Sequence, residues 1–374
     1  MNLDEFRTRY RYDVSTDLVG EGGFAKVYRA FDTLTQRDVA LKFYHGDSNE
    51  KYGVIQELKR VMRLQHPNLI HYYDAILLSN PTIYDPNAKI QVGVAEFANA
   101  GDLNDFIKTF PSLDEIAIVV RGILEGLDYL HKNGIVHRDI KPQNILLNKE
   151  NNLRTAKITD FGLAKELEQG EVSSKLMGTM EYMAPEQFDA KKFGINNRFG
   201  TNVDLWAFGV ILYEIFTGDL PFGNRHEGAT HEQLLFNILQ KDFSANLDDI
   251  DEPYRTIICR CLVRRATQRA ASARELIDIL DGNMPLNQSA ASEGDTQTQG
   301  SLVLTRNAKK RLLLHGIFFT PLSTLYYYYK AKSQNSEKAA LILDFLWYTL
   351  PVWIGFWLFM LSGSIILLYL IGKL

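Results

Sequence analysis

The sequence predicts an α+β fold that is followed by a hydrophobic helical tail. Strand-like runs flank a glycine cluster at residues 20–23, and residues 39–42 form another short strand-like run. Apolar residues then recur at helical spacing over residues 55–62. Residues 345–371 contain no charged side chain, and as a helix they would extend about 40 Å.

The most specific feature of the chain is an ordered pair of polar motifs. Residues 137–144 read HRDIKPQN, and residues 160–162 read DFG, after a gap that a β-hairpin would fill. Phosphoryl transfer requires a carboxylate near the accepting hydroxyl, a cation on the phosphates and oxygen ligands for Mg²⁺. These groups are supplied by Asp139, Lys141, Asn144 and Asp160.

The two motifs resemble the catalytic loop and the metal-binding motif of eukaryotic-type (Hanks-type) serine/threonine protein kinases. The resemblance implies the two-lobed protein kinase fold over residues 12–280, with a small β-rich N-lobe that carries the αC helix and a larger helical C-lobe. Asp139 would orient the substrate hydroxyl and accept its proton, and Lys141 would neutralise the γ-phosphoryl group. Asn144 and Asp160 would bind Mg²⁺.

The glycine cluster resembles the loop that covers the ATP phosphates in this family. Without a Cβ, Gly20 and Gly22 allow the backbone to approach phosphate oxygens closely. Ala25 stands at the position of the third glycine, so we expect a slightly stiffer loop and no loss of binding. The resemblance adds Val19 and Val27 to the ATP-binding residues.

Residues 39–42, VALK, resemble the strand whose lysine contacts the α- and β-phosphates. Ala40 and Lys42 point to the same face of a strand, so Ala40 would lie against the adenine. Glu57 stands where the αC helix of the family carries the glutamate that pairs with this lysine. The alternative is that Glu57 lies on a solvated helix face among other charged residues.

Residues 92–98 resemble a buried strand that runs into the connection between the two lobes. By similarity, backbone groups of Glu96 and Ala98 would bind the adenine edge, and Asp102 would bind a ribose hydroxyl. Leu146 completes the implied ATP-binding residues. Ala95 takes the gatekeeper position, and so small a side chain predicts a deep open pocket behind the adenine.

Motifs downstream of residue 160 extend the resemblance. Residues 178–179, GT, and residues 184–186, APE, resemble the substrate-docking and segment-ending signatures of the family. Arg269 is placed to pair with Glu186, as a buried arginine does in this family. Asp204 resembles the aspartate that supports the catalytic loop from beneath.

The resemblance also bears on specificity and regulation. Lys141 and Thr179 are typical of serine/threonine kinases, so serine or threonine is the expected acceptor. Arg138 would bind a phosphorylated activation loop through charge-assisted hydrogen bonds. Ser173 and Ser174 are the candidate phosphosites, and the alternative is that both are solvated loop residues.

Composition argues against several other classes of protein. The net charge of −4 gives no reason to expect a nucleic-acid partner. Cys259 and Cys261 would point to different faces of a predicted helix, which argues against a disulfide, fits a reducing compartment and matches no zinc pattern. Residues 1–13 are charged and have no apolar core, so no signal peptide is expected and the catalytic lobes would stay in the cytoplasm.

The C-terminal third of the chain predicts a membrane anchor. Residues 283–305 indicate a flexible linker, residues 306–338 a basic and aromatic juxtamembrane segment, and residues 339–374 a transmembrane tail. Residues 306–338 hold seven lysines or arginines, against Lys373 alone beyond the last span, which favours one C-terminal, tail-anchored span with a cytoplasmic kinase domain. The alternatives are a two-span hairpin and a buried helix that packs on the kinase.

The sequence therefore predicts a membrane-tethered serine/threonine kinase that uses ATP and Mg²⁺ to phosphorylate proteins, with self-association for trans-phosphorylation. The alternative is a membrane-tethered pseudokinase or scaffold that binds nucleotide without catalysis. Pseudokinases usually lack the strand lysine, the catalytic aspartate or the metal-binding aspartate. Lys42, Asp139 and Asp160 are all present, which favours an active enzyme.

Overall fold

The computed structural model describes residues 1–23, 25–45, 55, 58–59, 61–79, 88–161, 180–188, 192–193, 200–225, 228–241 and 247–284, all within one compact unit, Met1–Asn287. Glu57, Thr179, Ser173 and Ser174 lie outside the described residues, as do the predicted juxtamembrane segment, the transmembrane tail and nearly all of the linker. Within the described part of the chain, no helix combines the length and apolar character needed to cross a bilayer.

The N-terminal part is a six-stranded antiparallel sheet in which β2 pairs with β3 and the other strands follow the order β1-β3-β4-β6-β5. The strands are β1 (Tyr10–Arg11), β2 (Leu18–Glu21), β3 (Ala25–Asp32), β4 (Arg37–Tyr44), β5 (Tyr72–Ser79) and β6 (Lys89–Glu96). The strand predicted at residues 39–42 is thus the centre of β4, with paired neighbours on both sides.

The strand register assigns side chains to the two faces of this sheet. Val27 lies opposite Lys42, and Ala40 lies opposite both Arg29 and Ala95. Because directly opposite residues share a face, Val27, Ala40, Lys42 and Ala95 all point to one side of the sheet. This is the side that the sequence assigns to the nucleotide.

The other face of the sheet is covered by a short N-terminal helix, α1 (Leu3–Arg9), which begins with a capping box formed by Asn2 and Glu5. Phe6 is fully buried in a core cluster with Leu41 of β4, and its ring lies 6.0 Å from that of Phe43. The residues before β1 therefore form part of the hydrophobic core.

The C-terminal part is helical and surrounds helix α5 (Asn202–Thr217), in which most residues are buried. Gly209 of α5 packs so tightly on helix α7 (Tyr254–Cys261) that a Cβ there would lie 2.4 Å from the Cβ of Cys261. The helices of this part are α2 (Leu103–Lys108), α3 (Leu113–Lys132), α4 (Pro185–Phe188), α5 (Asn202–Thr217), α6 (His231–Gln240), α7 (Tyr254–Cys261) and α8 (Ala273–Leu280).

A two-stranded hairpin, β7 (Ile145–Glu150) and β8 (Leu153–Ile158), joins the two polar motifs. Ile145 pairs with Ile158, so the residues just before β7 and just after β8 lie side by side. The hairpin predicted between the motifs is confirmed, and it brings Asn144 close to Asp160 in space although the two are separated in sequence.

Candidate active site

Asp139, Lys141 and Asn144 form one polar cluster. The Asn144 side-chain amide donates to the Asp139 backbone carbonyl at 2.7 Å and to Asp139 Oδ2 at 3.0 Å. Lys141 Nζ lies 2.8 Å from the same Oδ2. The 3₁₀ helix Pro142–Asn144 returns the chain to this cluster, and the Asp139 side chain keeps 38% of its surface exposed, so a substrate can reach it.

Asp204, at the start of α5, supports this loop from beneath as predicted. Its buried carboxylate accepts the backbone N–H of His137 at 2.8 Å and of Arg138 at 2.7 Å. His131 Nε2 lies 2.9 Å from the same group. Arg138 has a φ of 66°, a left-handed conformation that is costly outside glycine and that these bonds stabilise.

His137 connects the catalytic loop to the chain that precedes Asp160. The Asp139 N–H donates to His137 Nδ1 at 3.3 Å, so the proton of the neutral ring is on Nε2, which donates to the Thr159 carbonyl at 2.8 Å. The Thr159 N–H donates to the Asn144 carbonyl at 2.9 Å. Thr159 is therefore bonded to the catalytic loop at both ends.

Lys42 and Asp160 form an ion pair through Asp160 Oδ1. Burial by itself lowers the pKa of Lys42, but the adjacent Asp160 carboxylate more than offsets this, so the pKa is raised. Burial likewise raises the pKa of Asp160, and Lys42 reverses the direction, so the net pKa is lowered. Both groups are therefore charged at neutral pH. The predicted partner of Lys42, Glu57, lies outside the described residues.

Two predicted ATP-binding residues are linked to Lys42 by the strand register, because Val27 lies opposite Lys42 and Gly20 lies opposite Val27. Val19 and Gly20 are on β2, where the register shifts between Leu18 and Gly20. The Gly22 N–H donates to the Ala25 carbonyl at 3.0 Å and closes the turn into β3.

Three further predicted ATP-binding residues lie on or beside the connection between the two lobes. Asp102 and Leu146 form a bridge between their backbones, which places Leu146 beside the connection between the lobes. The Asp102 carboxylate caps α2, where its Oδ1 accepts the Asp105 N–H at 3.1 Å. Ala98 lies on this connection and packs against the main core cluster.

Sequence reasoning missed how Glu96 is held. Its carboxylate lies 2.8 Å from Lys157 Nζ and accepts the Asn148 amide at 3.0 Å. Both partners lie on the β7–β8 hairpin, so a part-buried ion pair joins the lobe connection to the hairpin. The sequence shows only that a lysine, Lys157, lies three residues before Asp160. Without the register of β7 and β8, this spacing does not indicate that Lys157 pairs with Glu96.

The space behind Ala95 is lined by two tyrosines. Tyr72 lies directly opposite Ala95 in the register and is 3% exposed. The Tyr44 ring lies 3.5 Å from the position that a Cβ on Gly93 would take. Large rings therefore lie beside the small residues Ala95 and Gly93, at the place where the sequence predicts a deep open pocket.

The predicted pair of Arg269 and Glu186 is present and fully buried. Two parallel hydrogen bonds join them at 2.7 and 2.8 Å. Arg269 also donates to the carbonyls of Asn202 at 2.7 Å and Val263 at 2.9 Å. This network fixes the start of α4 against α5 and the chain that leads into α8.

The oxygen ligands and the lysine of this site suit a magnesium-bound nucleotide. Because the Asn144 nitrogen is bonded to Asp139, the Asn144 side chain is left with its oxygen as a ligand. A carboxylate from Asp160 and an amide oxygen are ligands that Mg²⁺ accepts, together with substrate phosphates. Lys42 supplies the cation that phosphates require.

Comparison with known proteins agrees with this geometry. The family model described as protein kinase domain matches residues 14–279. The serine/threonine-protein kinase RAD53 of Saccharomyces cerevisiae is 32% identical over 282 residues, covering 71% of this chain and 32% of RAD53. The DNA damage response protein kinase DUN1 of the same organism is 31% identical over 276 residues, covering 67% of this chain and 51% of DUN1.

Among solved structures, a crystal structure of Rad53 1–466 in complex with AMP-PNP is similar, with a TM-score of 0.57 and 28% identity over 74% of this chain and 66% of that one. The chain thus spans about a third of RAD53 and half of DUN1. Since the family match covers most of the chain, as the sequence predicts, this protein belongs to the protein kinase domain family.

Proposed function

We propose that this protein is a serine/threonine protein kinase that transfers the γ-phosphoryl group of ATP to hydroxyls of other proteins. The observation that carries the proposal is the bonding around Thr159. Its N–H donates to the Asn144 carbonyl, and its own carbonyl accepts from His137, so the Asp139–Asn144 cluster and the Lys42–Asp160 pair adjoin one another. A nucleotide whose phosphates contact Lys42 and Asp160 would therefore have its γ-phosphate near Asp139.

The chain's own residues account for each requirement of the reaction. Asp139 orients the substrate hydroxyl, whose oxygen forms a bond to the γ-phosphorus while the bond to the bridging oxygen breaks and its electron pair leaves with ADP. The hydroxyl proton passes to the Asp139 carboxylate. Lys141, 2.8 Å from that carboxylate, neutralises charge on the transferred group. Asn144 and Asp160 would hold Mg²⁺, which would supply positive charge beside the phosphates.

Similarity to named serine/threonine kinases supports the acceptor class, and Lys141 is the residue typical of that class. The similar Rad53 structure contains AMP-PNP, which supports an adenine nucleotide as the donor. The pseudokinase alternative is not favoured, since Lys42, Asp139 and Asp160 are all present. Lys42 pairs with Asp160, and Asp139 pairs with Lys141.

The direct test is transfer of labelled phosphate from ATP to a mixture of serine and threonine peptides by the full chain, in wild-type and Asp139→Asn forms. We expect the substitution to lower kcat by about 10²-fold or more, because it removes the base, and to leave ATP affinity unchanged. Asp128→Asn is the matched control, since Asp128 lies outside the catalytic loop and pairs with Lys132 one turn further along α3. Full activity in Asp139→Asn would contradict the assignment.

The proposal includes a membrane location, with the kinase domain on the cytoplasmic side of a single C-terminal span. Its support is the uncharged run at residues 345–371 and the basic cluster before it. The test is alkaline extraction of membranes from cells that express the full chain. We expect the protein to stay in the membrane pellet, and Leu358→Arg with Ile365→Arg to release it, since each charge costs about 3 kcal/mol of insertion. Release of the wild-type chain would contradict the span.

The proposed kinase also acts on copies of itself, because a shared membrane raises the local concentration of neighbouring kinase domains. The candidate acceptors are Ser173 and Ser174. Phosphate mapping after incubation with ATP tests this, with the Ser173→Ala, Ser174→Ala double variant as control. Equal autophosphorylation in the wild-type and double-variant chains would contradict these acceptors.

A further inference from the structure

We propose that Tyr72 is a positioning residue for the metal-bound nucleotide, acting through its buried hydroxyl on the Asp160 carboxylate. The inference rests on the proposed function, because it concerns the group that would bind Mg²⁺. Tyr72 is outside both polar motifs and has no role in the sequence prediction. Its proposed role is to fix the orientation of the Asp160 carboxylate.

The first observation is that donors gather on one oxygen of Asp160. Lys42 Nζ pairs with Asp160 Oδ1, and the Tyr72 hydroxyl lies 3.5 Å from the same atom. Thr159 Oγ1 also lies 3.5 Å from it. Among the described residues, all three of these contacts end on Oδ1, and no hydrogen bond from this part of the chain reaches Asp160 Oδ2. The carboxylate is thus anchored by one oxygen, which leaves the other available to a cation.

The second observation is that the Tyr72 ring cannot turn away from this position. It is 3% exposed and meets the Phe161 ring edge-on, at 6.3 Å between centroids and 85° between planes. Ala95, directly opposite on β6, is small enough to leave room for the ring. A buried ring fixed on both sides aims its hydroxyl in one direction.

The third observation concerns the backbone of Asp160. A tyrosine hydroxyl can donate a hydrogen bond, and a carboxylate oxygen accepts one. Asp160 has a φ of 64°, a conformation that favours glycine and that needs support from its surroundings. The Tyr72 hydroxyl and Lys42 supply that support from the N-terminal sheet.

The expected consequence concerns Mg²⁺ specifically. Partners that orient a metal ligand are typically worth about 10–100-fold in metal affinity. Tyr72→Phe keeps the ring and its packing on Phe161 but removes the hydroxyl. Affinity for ATP without Mg²⁺ depends on Lys42 and the glycine-rich turn, which this substitution leaves intact. The substitution should therefore weaken only the gain in affinity that Mg²⁺ provides.

The experiment measures ATP affinity of the full chain by titration calorimetry, in excess Mg²⁺ and in EDTA. The ratio of the two affinities is the magnesium gain. For Tyr72→Phe we expect the gain to fall about 10-fold while the EDTA affinity changes by less than about 2-fold. Tyr73→Phe is the matched control, because its ring packs under the Arg37 guanidinium at 3.7 Å, and it should keep the wild-type gain.

Two results would overturn the inference. One is an unchanged gain in Tyr72→Phe, and the other is an equal loss of both affinities, which would indicate packing alone. Thr159→Val is a second variant that removes another hydroxyl from Asp160 Oδ1, and its gain should fall as well. Absence of any magnesium gain in the wild-type chain would instead contradict the proposed function, and Asp160→Asn should abolish a gain that exists.

Discussion

The support of the catalytic loop by Asp204 can be tested by Asp204→Asn. The carboxylate accepts two consecutive backbone N–H groups, from His137 at 2.8 Å and Arg138 at 2.7 Å, while an amide has one accepting oxygen. The substitution therefore leaves one buried N–H facing another donor. A buried unsatisfied donor costs about 1–3 kcal/mol, and the lost charge-assisted bond adds to this. We therefore expect Asp204→Asn to lower the free energy of unfolding by about 2–4 kcal/mol.

The loss should also reach the chemistry, because Arg138 holds a left-handed φ of 66° directly before Asp139. If that turn relaxes, a shift of about 1 Å in Asp139 costs about 10²-fold in kcat. Urea unfolding gives the free energy, and steady-state kinetics give kcat and the KM for ATP. Asp278→Asn is the control, since Asp278 pairs with Arg274 on the surface of α8. An unfolding free energy and kcat like those of the wild type would refute the reasoning.

Two further predictions concern the N-terminal helix and one concerns the helical core. Phe6→Ala should lower the free energy of unfolding by about 3–5 kcal/mol, measured in urea, since the ring is fully buried; a loss below about 1 kcal/mol would contradict its place in the core. Burial raises the pKa of Asp32, but hydrogen bonds, chiefly from Arg9, outweigh this and lower it to about 2. Because that folded pKa lies below the unfolded value of 3.8, the ionised Asp32 adds about 2 kcal/mol to the free energy of unfolding above pH 4, and this is lost as the pH falls towards 2. Urea unfolding between about pH 2 and pH 5 should therefore show a smaller loss of stability with falling pH in Asp32→Asn than in the wild type. An equal loss in both proteins would contradict this role of Asp32. Gly209→Ala should cost about 1–3 kcal/mol in the same urea assay, because its Cβ would meet that of Cys261 at 2.4 Å, and a more stable variant would contradict this packing.

The sequence was most informative where chemistry is local. Asp139, Lys141 and Asn144 lie within one short loop, so their spacing alone predicts that they meet, and the structure joins them at 2.7–3.0 Å. The contact of Lys42 with Asp160 is a different case. It joins residues 118 positions apart, and only the resemblance to a known family could place them in one site.

Other features depend on strand register and packing, which spacing does not give. Tyr72 meets Asp160 because of its place opposite Ala95, and the sequence shows only one more tyrosine in a strand. Lys157 reaches Glu96 for a similar reason. Phe6 is four residues before Tyr10, a spacing that fits a buried helix face, but the charged residues between them make so short a helix hard to predict.

The central claim is that Lys42, Asp139, Asn144 and Asp160 surround one magnesium-bound nucleotide. A crystal structure of the full chain with Mg²⁺ and a non-hydrolysable ATP analogue tests it most directly. The account predicts Mg²⁺ on the oxygens of Asn144 and Asp160, Lys42 on the α- and β-phosphates, and the γ-phosphate facing Asp139. A nucleotide bound elsewhere, or phosphates that contact none of these four side chains, would contradict it.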